Sequence, residues 1–80
     1  MDDLVQLGHS QALYWTELVL GSFRSRGQDL PPEWPGSVEQ ARLLVTVTAH
    51  GQIEEQSRER LVDIVQDRAR FLWQEFRSFY

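Results

Sequence analysis

The last third of the chain, residues 54–80, has the helical periodicity that most constrains the fold. At roughly 100° per residue, one stripe carries apolar residues: Leu61, Val65, Ala69, Leu72, Phe76 and Phe79. More apolar residues flank it, with Val62, Trp73 and Tyr80 on one side and Ile64 and Phe71 on the other. The opposite face is polar and includes Gln66. The apolar arc covers roughly 200°, and docking on one neighbour needs only ~100°. We therefore expect this helix to contact more than one element.

A first helix is expected from about residue 3 to 24, ended by a glycine at residue 27. Its predicted core face carries Leu4, Leu7, Trp15, Leu18 and Val19. Leu13 and Leu20 lie almost opposite that face, beside His9, and indicate either a second buried seam or two ordinary surface leucines. Two glycines inside the helix, Gly8 and Gly21, mark either close helix contacts or weak positions.

Residues 25–36, SRGQDLPPEWPG, contain two glycines and three prolines, which excludes regular secondary structure. We expect an ordered crossover loop that folds back on the helices, with Trp34 as its buried anchor, because burying a tryptophan removes a large apolar surface from water. The alternative is that residues 31–35 form an exposed polyproline-type ligand for another protein.

A second helix is expected over about residues 38–50, opened by a capping box of Ser37 and Gln40. Residues 44–49 are rich in β-branched side chains and resemble a strand in isolation. No other segment alternates convincingly enough to pair with such a strand, so a helix is favoured. A short connection around residues 51–53 leads into the third helix, at about 53–79, and predicts an antiparallel hairpin.

These elements together predict one all-α domain over residues 1–80. Its architecture is a three-helix bundle with a long crossover between the first two helices and a tight hairpin between the last two.

The distribution of charge and reactive groups excludes several functions. The net charge of −4 argues against direct nucleic-acid binding, which needs a basic surface. All eight cationic side chains are arginines, which indicates a GC-rich bacterial or phage genome or an arginine-rich interface. There is no cysteine, and His9 and His50 do not stand at metal-ligand spacing. An acidic line of Glu55, Glu59 and Asp63 is read as a solvated, salt-bridged face.

We expect neither catalysis nor a cofactor nor a bound metal, because the chain has no nucleophile elbow and no glycine-rich phosphate loop. An acidic start and the lack of an apolar run of ~20 residues favour a cytoplasmic protein without a membrane contact.

The leading functional hypothesis is a protein-interaction module, either a homodimer or a small subunit or adaptor of a larger complex. It depends on an excess of apolar surface, with charged residues inside the apolar arc of the last helix that either extend from the core edge or contact a partner. The expected interface residues are Leu13, Leu20, Val62, Arg68, Phe71, Trp73, Glu75 and Tyr80. One alternative is an acidic phage- or plasmid-type regulator that inhibits a nucleic-acid-binding enzyme. A second is a small-ligand or metal sensor.

Overall fold

The computed structural model describes residues 3–49 and 53–79. Three helices occur there: α1 spans Asp3–Ser25, α2 spans Val38–Ala49 and α3 spans Glu55–Ser78. These two ranges contain no strand, so the predicted all-α class with three helices is confirmed. The strand-like stretch 44–49 is helical, because it lies inside α2. Most of the predicted tight connection at 51–53, together with His50, lies outside the described residues.

Local signals set two of the helix ends. Gly27 has a φ of 65°, and its N–H and that of the next residue donate to the carbonyls of Arg24 and Phe23, at 3.1 and 3.0 Å. This pair of bonds is a Schellman motif, which favours glycine because a Cβ is penalised in the left-handed region. Ser37 and Gln40 form the predicted capping box, in which each side chain accepts a bond from the other's backbone N–H at 3.0–3.1 Å.

α3 is the element on which both other helices pack. α1 runs parallel to it, since Gly8 lies against Ile64 near one end and the Phe23 ring lies 6.1 Å from the Trp73 ring near the other. Because α1 and α3 are parallel, the chain leaves α1 beside the C-terminal half of α3 and then runs back along α3. The crossover loop makes the first part of that return and α2 makes the second.

The crossover loop runs along α3 as an extended segment, from the C-terminal end of α3 towards its middle. Three side chains of α3 donate to its carbonyl oxygens: Trp73 Nε1 to Pro31 (3.0 Å), Gln74 Nε2 to Pro32 (2.7 Å) and Gln66 Nε2 to Gly36 (3.0 Å). α2 continues in the same direction, with Arg42 bonded to Glu59. The loop therefore covers the C-terminal half of α3 on the side where α2 covers the N-terminal half, which accounts for the wide apolar arc.

Trp34 anchors the loop in the core, as predicted. Its side chain is buried, and its ring meets those of Trp15 and Trp73 edge-on, at 4.8 and 5.3 Å between centroids. A Cβ on residue 36 would lie 2.5 Å from Cζ2 of the indole, so Gly36 lets the backbone pass this close. The alternative of an exposed polyproline ligand is wrong for this tryptophan.

The predicted core face of α1 is only partly confirmed, because Leu4, Trp15 and Val19 are half-buried against the core but two other members are not. Leu7 and Leu18, expected in the core, are 38% and 54% exposed. The fully buried positions of α1 are Gly8, Gln11, Ala12, Thr16 and Leu20. A Cβ at Gly8 would overlap Ile64, so this glycine marks a close helix contact. Small residues set the distance between two packed helices, and a hydropathy pattern gives them little weight.

Two positions of α3 also depart from the prediction. Gln66, predicted on the polar face, is buried because the crossover loop passes over it. The loop forms hydrogen bonds with both the oxygen and the nitrogen of its side-chain amide. Phe79, assigned to the apolar stripe, is 79% exposed. It stands just beyond α3, as the C-cap.

Candidate interaction surface

Three of the expected interface residues lie in the hydrophobic core. Leu20, Val62 and Trp73 are 8%, 1% and 0% exposed, so the prediction that they form a binding surface is wrong for the folded chain. Trp73 is covered by the crossover, through the ring of Trp34 and the carbonyl of Pro31. The excess of apolar surface inferred for α3 is largely removed by this loop.

Four other expected residues remain at the surface, along the outer side of the contact between α1 and α3. Leu13 is 43% exposed, Phe71 is 52% exposed, Glu75 is exposed and Arg68 is half-buried. We call these four residues the α1–α3 face. Tyr80 lies outside the described residues. Of the two candidate seam leucines, Leu20 is therefore buried and Leu13 is not.

On the α1–α3 face, the charge of Arg68 is directed at its own chain. The guanidinium carbon lies 5.0 Å from the centre of the Phe71 ring, a cation–π distance. The Nε atom is buried and has no acceptor among the described residues. Beside it is a shallow depression of about 320 Å³, lined by Val5, His9, Ile64, Asp67, Arg68 and Phe71.

A larger set of exposed apolar side chains lies on α1 and α2. Its members are Leu7 (38% exposed), Tyr14 (60%), Leu18 (54%), Leu43 (67%) and Val47 (65%). We call this set the α1–α2 face. The three residues of α1 recur at i, i+7 and i+11, which places them along one line of the helix. The two residues of α2 are one turn apart, outside its buried stripe.

One polar contact joins α1 to α2 near the α1–α2 face. Gln11 follows Leu7 by four residues and precedes Leu18 by seven, so it shares their side of α1. Its Nε2 donates to Oγ1 of Thr48 on α2 at 2.6 Å, and its Oε1 is buried without a partner among the described residues. The helix backbones themselves do not pack directly against each other, since each packs on α3. The bond therefore joins Gln11 to the side of α2 that carries the buried stripe, and Leu43 and Val47 lie on the outer side of that helix.

The α1–α2 face is not predicted by the sequence pattern for an identifiable reason. The periodicity of α1 predicts Leu7 and Leu18 in the core, and the apolar repeat of α2 includes neither Leu43 nor Val47. A signal was present: Leu43 and Val47 stand at i and i+4, away from the stripe that holds Ala41 and its helical neighbours. Two apolar residues one turn apart on the outer side of a short helix predict exposed apolar surface there.

The outer edge between α2 and α3 is polar. Arg42 donates from Nε and Nη2 to the two carboxylate oxygens of Glu59, at 3.2 and 3.1 Å. This hydrogen-bonded pairing lowers the pKa of Glu59 and raises the pKa of Arg42. Both side chains are about half exposed, so the pair contributes little to stability. The acidic line of α3 is thus partly neutralised, by an arginine from α2.

The described residues contain no group of three His, Cys, Asp or Glu side chains placed to hold a metal ion. Nor does any helix in those ranges have the length and apolar character required to cross a membrane. No protein-family model matches the chain, and no curated protein or solved structure is significantly similar to it.

Proposed function

We propose that the chain is a non-enzymatic protein-interaction module whose binding surface is the α1–α2 face. The observation that supports this is the exposure of its five large apolar side chains, from 38% to 67%. Apolar side chains that remain exposed in such numbers on a soluble protein often mark a protein-interaction site. Covering such a surface with another protein removes it from water.

The residue types of the α1–α2 face suit binding. Tyr14 offers a large apolar ring and a hydroxyl group that can donate and accept hydrogen bonds, and tyrosine is enriched among binding hot spots. The leucines and Val47 lose little side-chain entropy when they are covered. Both helices are fixed on α3 by the core, so the surface is presented on rigid elements.

The pairing of acidic residues within the chain favours an apolar interaction over mimicry of a nucleic acid. Two of the acidic residues on α3, Glu59 and Asp67, are paired with Arg42 and Arg70 within the chain. A protein that imitates a nucleic acid needs a row of uncompensated anions. The α1–α2 face instead presents five uncharged side chains, which suits a partner with an apolar surface.

The test is a matched pair of charge insertions. Leu43→Glu lies on the α1–α2 face, and Leu13→Glu places the same change at an exposed leucine on the α1–α3 face. The immobilised wild-type chain should retain a protein, which is either another copy of the chain or a different protein. After purification, the retained protein should also bind the wild-type chain directly. Leu43→Glu should abolish this retention and Leu13→Glu should preserve it. Equal retention by both variants, or none by the wild type, would contradict the proposed function.

A further inference from the structure

One row of α1 is symmetric about its middle residue. Leu7, Tyr14 and Gly21 are spaced by seven residues, so they share one line of the helix, with the leucine and the glycine each about 10 Å from the tyrosine along the axis. Leu7 and Tyr14 project into solvent at 38% and 60% exposure. At Gly21 no atom lies within 4 Å of where a Cβ would stand, so the surface is open there.

We infer that the occupant of the α1–α2 face is a second copy of this chain, whose α1 lies antiparallel to the first across a twofold axis at Tyr14. A twofold rotation about that position brings Leu7 of each copy onto Gly21 of the other. A large apolar side chain then meets a position with no side chain, at both ends of the contact. The two tyrosines meet on the axis. This inference rests on the proposed function and names its partner.

Charge along α1 favours the antiparallel direction. The first turn of the helix carries Asp3 and the last turn carries Arg24. Antiparallel packing brings Asp3 of one copy close to Arg24 of the other, whereas parallel packing brings like charges together. The helix dipoles also oppose each other favourably when the two helices are antiparallel.

The apolar character of the surface fits a reversible dimer. A standard interface covers ~800 Å² on each partner, and the five exposed apolar side chains of the α1–α2 face would form the apolar part of such an interface. Leu43 and Val47 of α2 are exposed as well, at 67% and 65%, and are available to the same partner. An isologous contact uses the same patch twice, so no second surface is required.

Single-cysteine variants test the geometry, because the chain contains no cysteine of its own. Under mild oxidation, the Tyr14→Cys variant should cross-link to itself. Leu7→Cys and Gly21→Cys should cross-link to each other when mixed, in preference to forming their own homodimers. Leu13→Cys, which lies on the α1–α3 face, should remain uncross-linked. Preferential self-linking of Leu7→Cys would indicate a parallel contact and overturn the inference, as would efficient linking through Leu13→Cys.

Sedimentation equilibrium of the wild-type chain separates this inference from the proposed function. A mass approaching twice 9.4 kDa at high micromolar concentration is expected. A monomer at every concentration overturns the second copy as occupant. If the chain is monomeric but a different protein binds the wild type and does not bind Leu43→Glu, the proposed function still stands. If the chain is monomeric and the wild type retains no protein, the proposed function fails as well.

Discussion

Nε1 of Trp34 donates a hydrogen bond to Oε1 of Gln66 at 3.3 Å, and this bond joins the crossover loop to the middle of α3. The same glutamine uses its Nε2 to donate to the carbonyl of Gly36 at 3.0 Å. One buried amide therefore satisfies two polar groups of a segment that has no secondary structure of its own. The loop can cover half of α3 in place of a helix because its buried polar groups have hydrogen-bond partners on α3.

The first prediction concerns this amide. Gln66→Leu keeps a similar volume but leaves the Trp34 N–H and the Gly36 carbonyl without their partner, so it should cost about 2–4 kcal/mol of unfolding free energy. Gln56→Leu, at an exposed position of the same helix, is the matched control. Urea unfolding followed by circular dichroism measures both. A loss no larger than that of the control would show that the loop is not fixed through Gln66.

Trp34 itself should carry much of the stability. Trp34→Ala removes the ring that packs between Trp15 and Trp73, and should cost about 3–5 kcal/mol, as for other buried aromatic residues. Phe79→Ala, at a 79% exposed phenylalanine, should change the stability by no more than ~0.5 kcal/mol. Similar melting temperatures for the two variants would place Trp34 outside the core.

Replacing each of two glycines of α1 by alanine should change the unfolding free energy in opposite directions. Gly21→Ala should stabilise the chain by ~0.5–1 kcal/mol, because alanine is the better helix former and nothing obstructs its methyl group. Gly8→Ala gains the same helix propensity but forces its Cβ into Ile64, and should be destabilising by about 1–3 kcal/mol. Thermal unfolding at low protein concentration gives both values. An increase in stability for Gly8→Ala would disprove the close packing of α1 on α3.

The Arg42–Glu59 pair predicts a small dependence on pH. Because the hydrogen-bonded arginine lowers the pKa of Glu59 in the folded chain, the pair contributes stability above the ordinary glutamate pKa. This contribution is lost as the pH falls through the lowered pKa. Carboxylate titration by NMR should show the Glu59 pKa returning towards its ordinary value in Arg42→Gln, and an unchanged titration would mean that the pair does not form in solution.

The sequence was sufficient wherever the signal was local. The capping box of Ser37 and Gln40 and the stop at Gly27 were predictable because each depends on neighbours within one turn. The burial of Leu61 and Val65 was predictable from periodicity, since a helix with one strongly apolar stripe buries it in almost any bundle.

The remaining features depend on contacts between distant segments. The core face of α1 is set by how closely Gly8 and Ala12 approach α3, and hydropathy does not rank small residues highly. Gln66 and Trp73 are buried because the crossover passes over them, and its path cannot be read from proline and glycine content. For these reasons the sequence pattern predicts Trp73 at a surface, where the structure buries it, and predicts Leu7 and Leu18 in the core, where the structure leaves them exposed.

The most direct test of the α1–α2 face as the binding surface is sedimentation equilibrium of Leu18→Glu beside Leu13→Glu. The two leucines are similarly exposed, at 54% and 43%, but lie on different sides of the same helix. We predict a reversible dimer that Leu18→Glu weakens by roughly tenfold or more and that Leu13→Glu leaves unchanged, with both variants equally helical. A dimer that dissociates with Leu13→Glu and persists with Leu18→Glu would contradict the account and place the contact on the α1–α3 face.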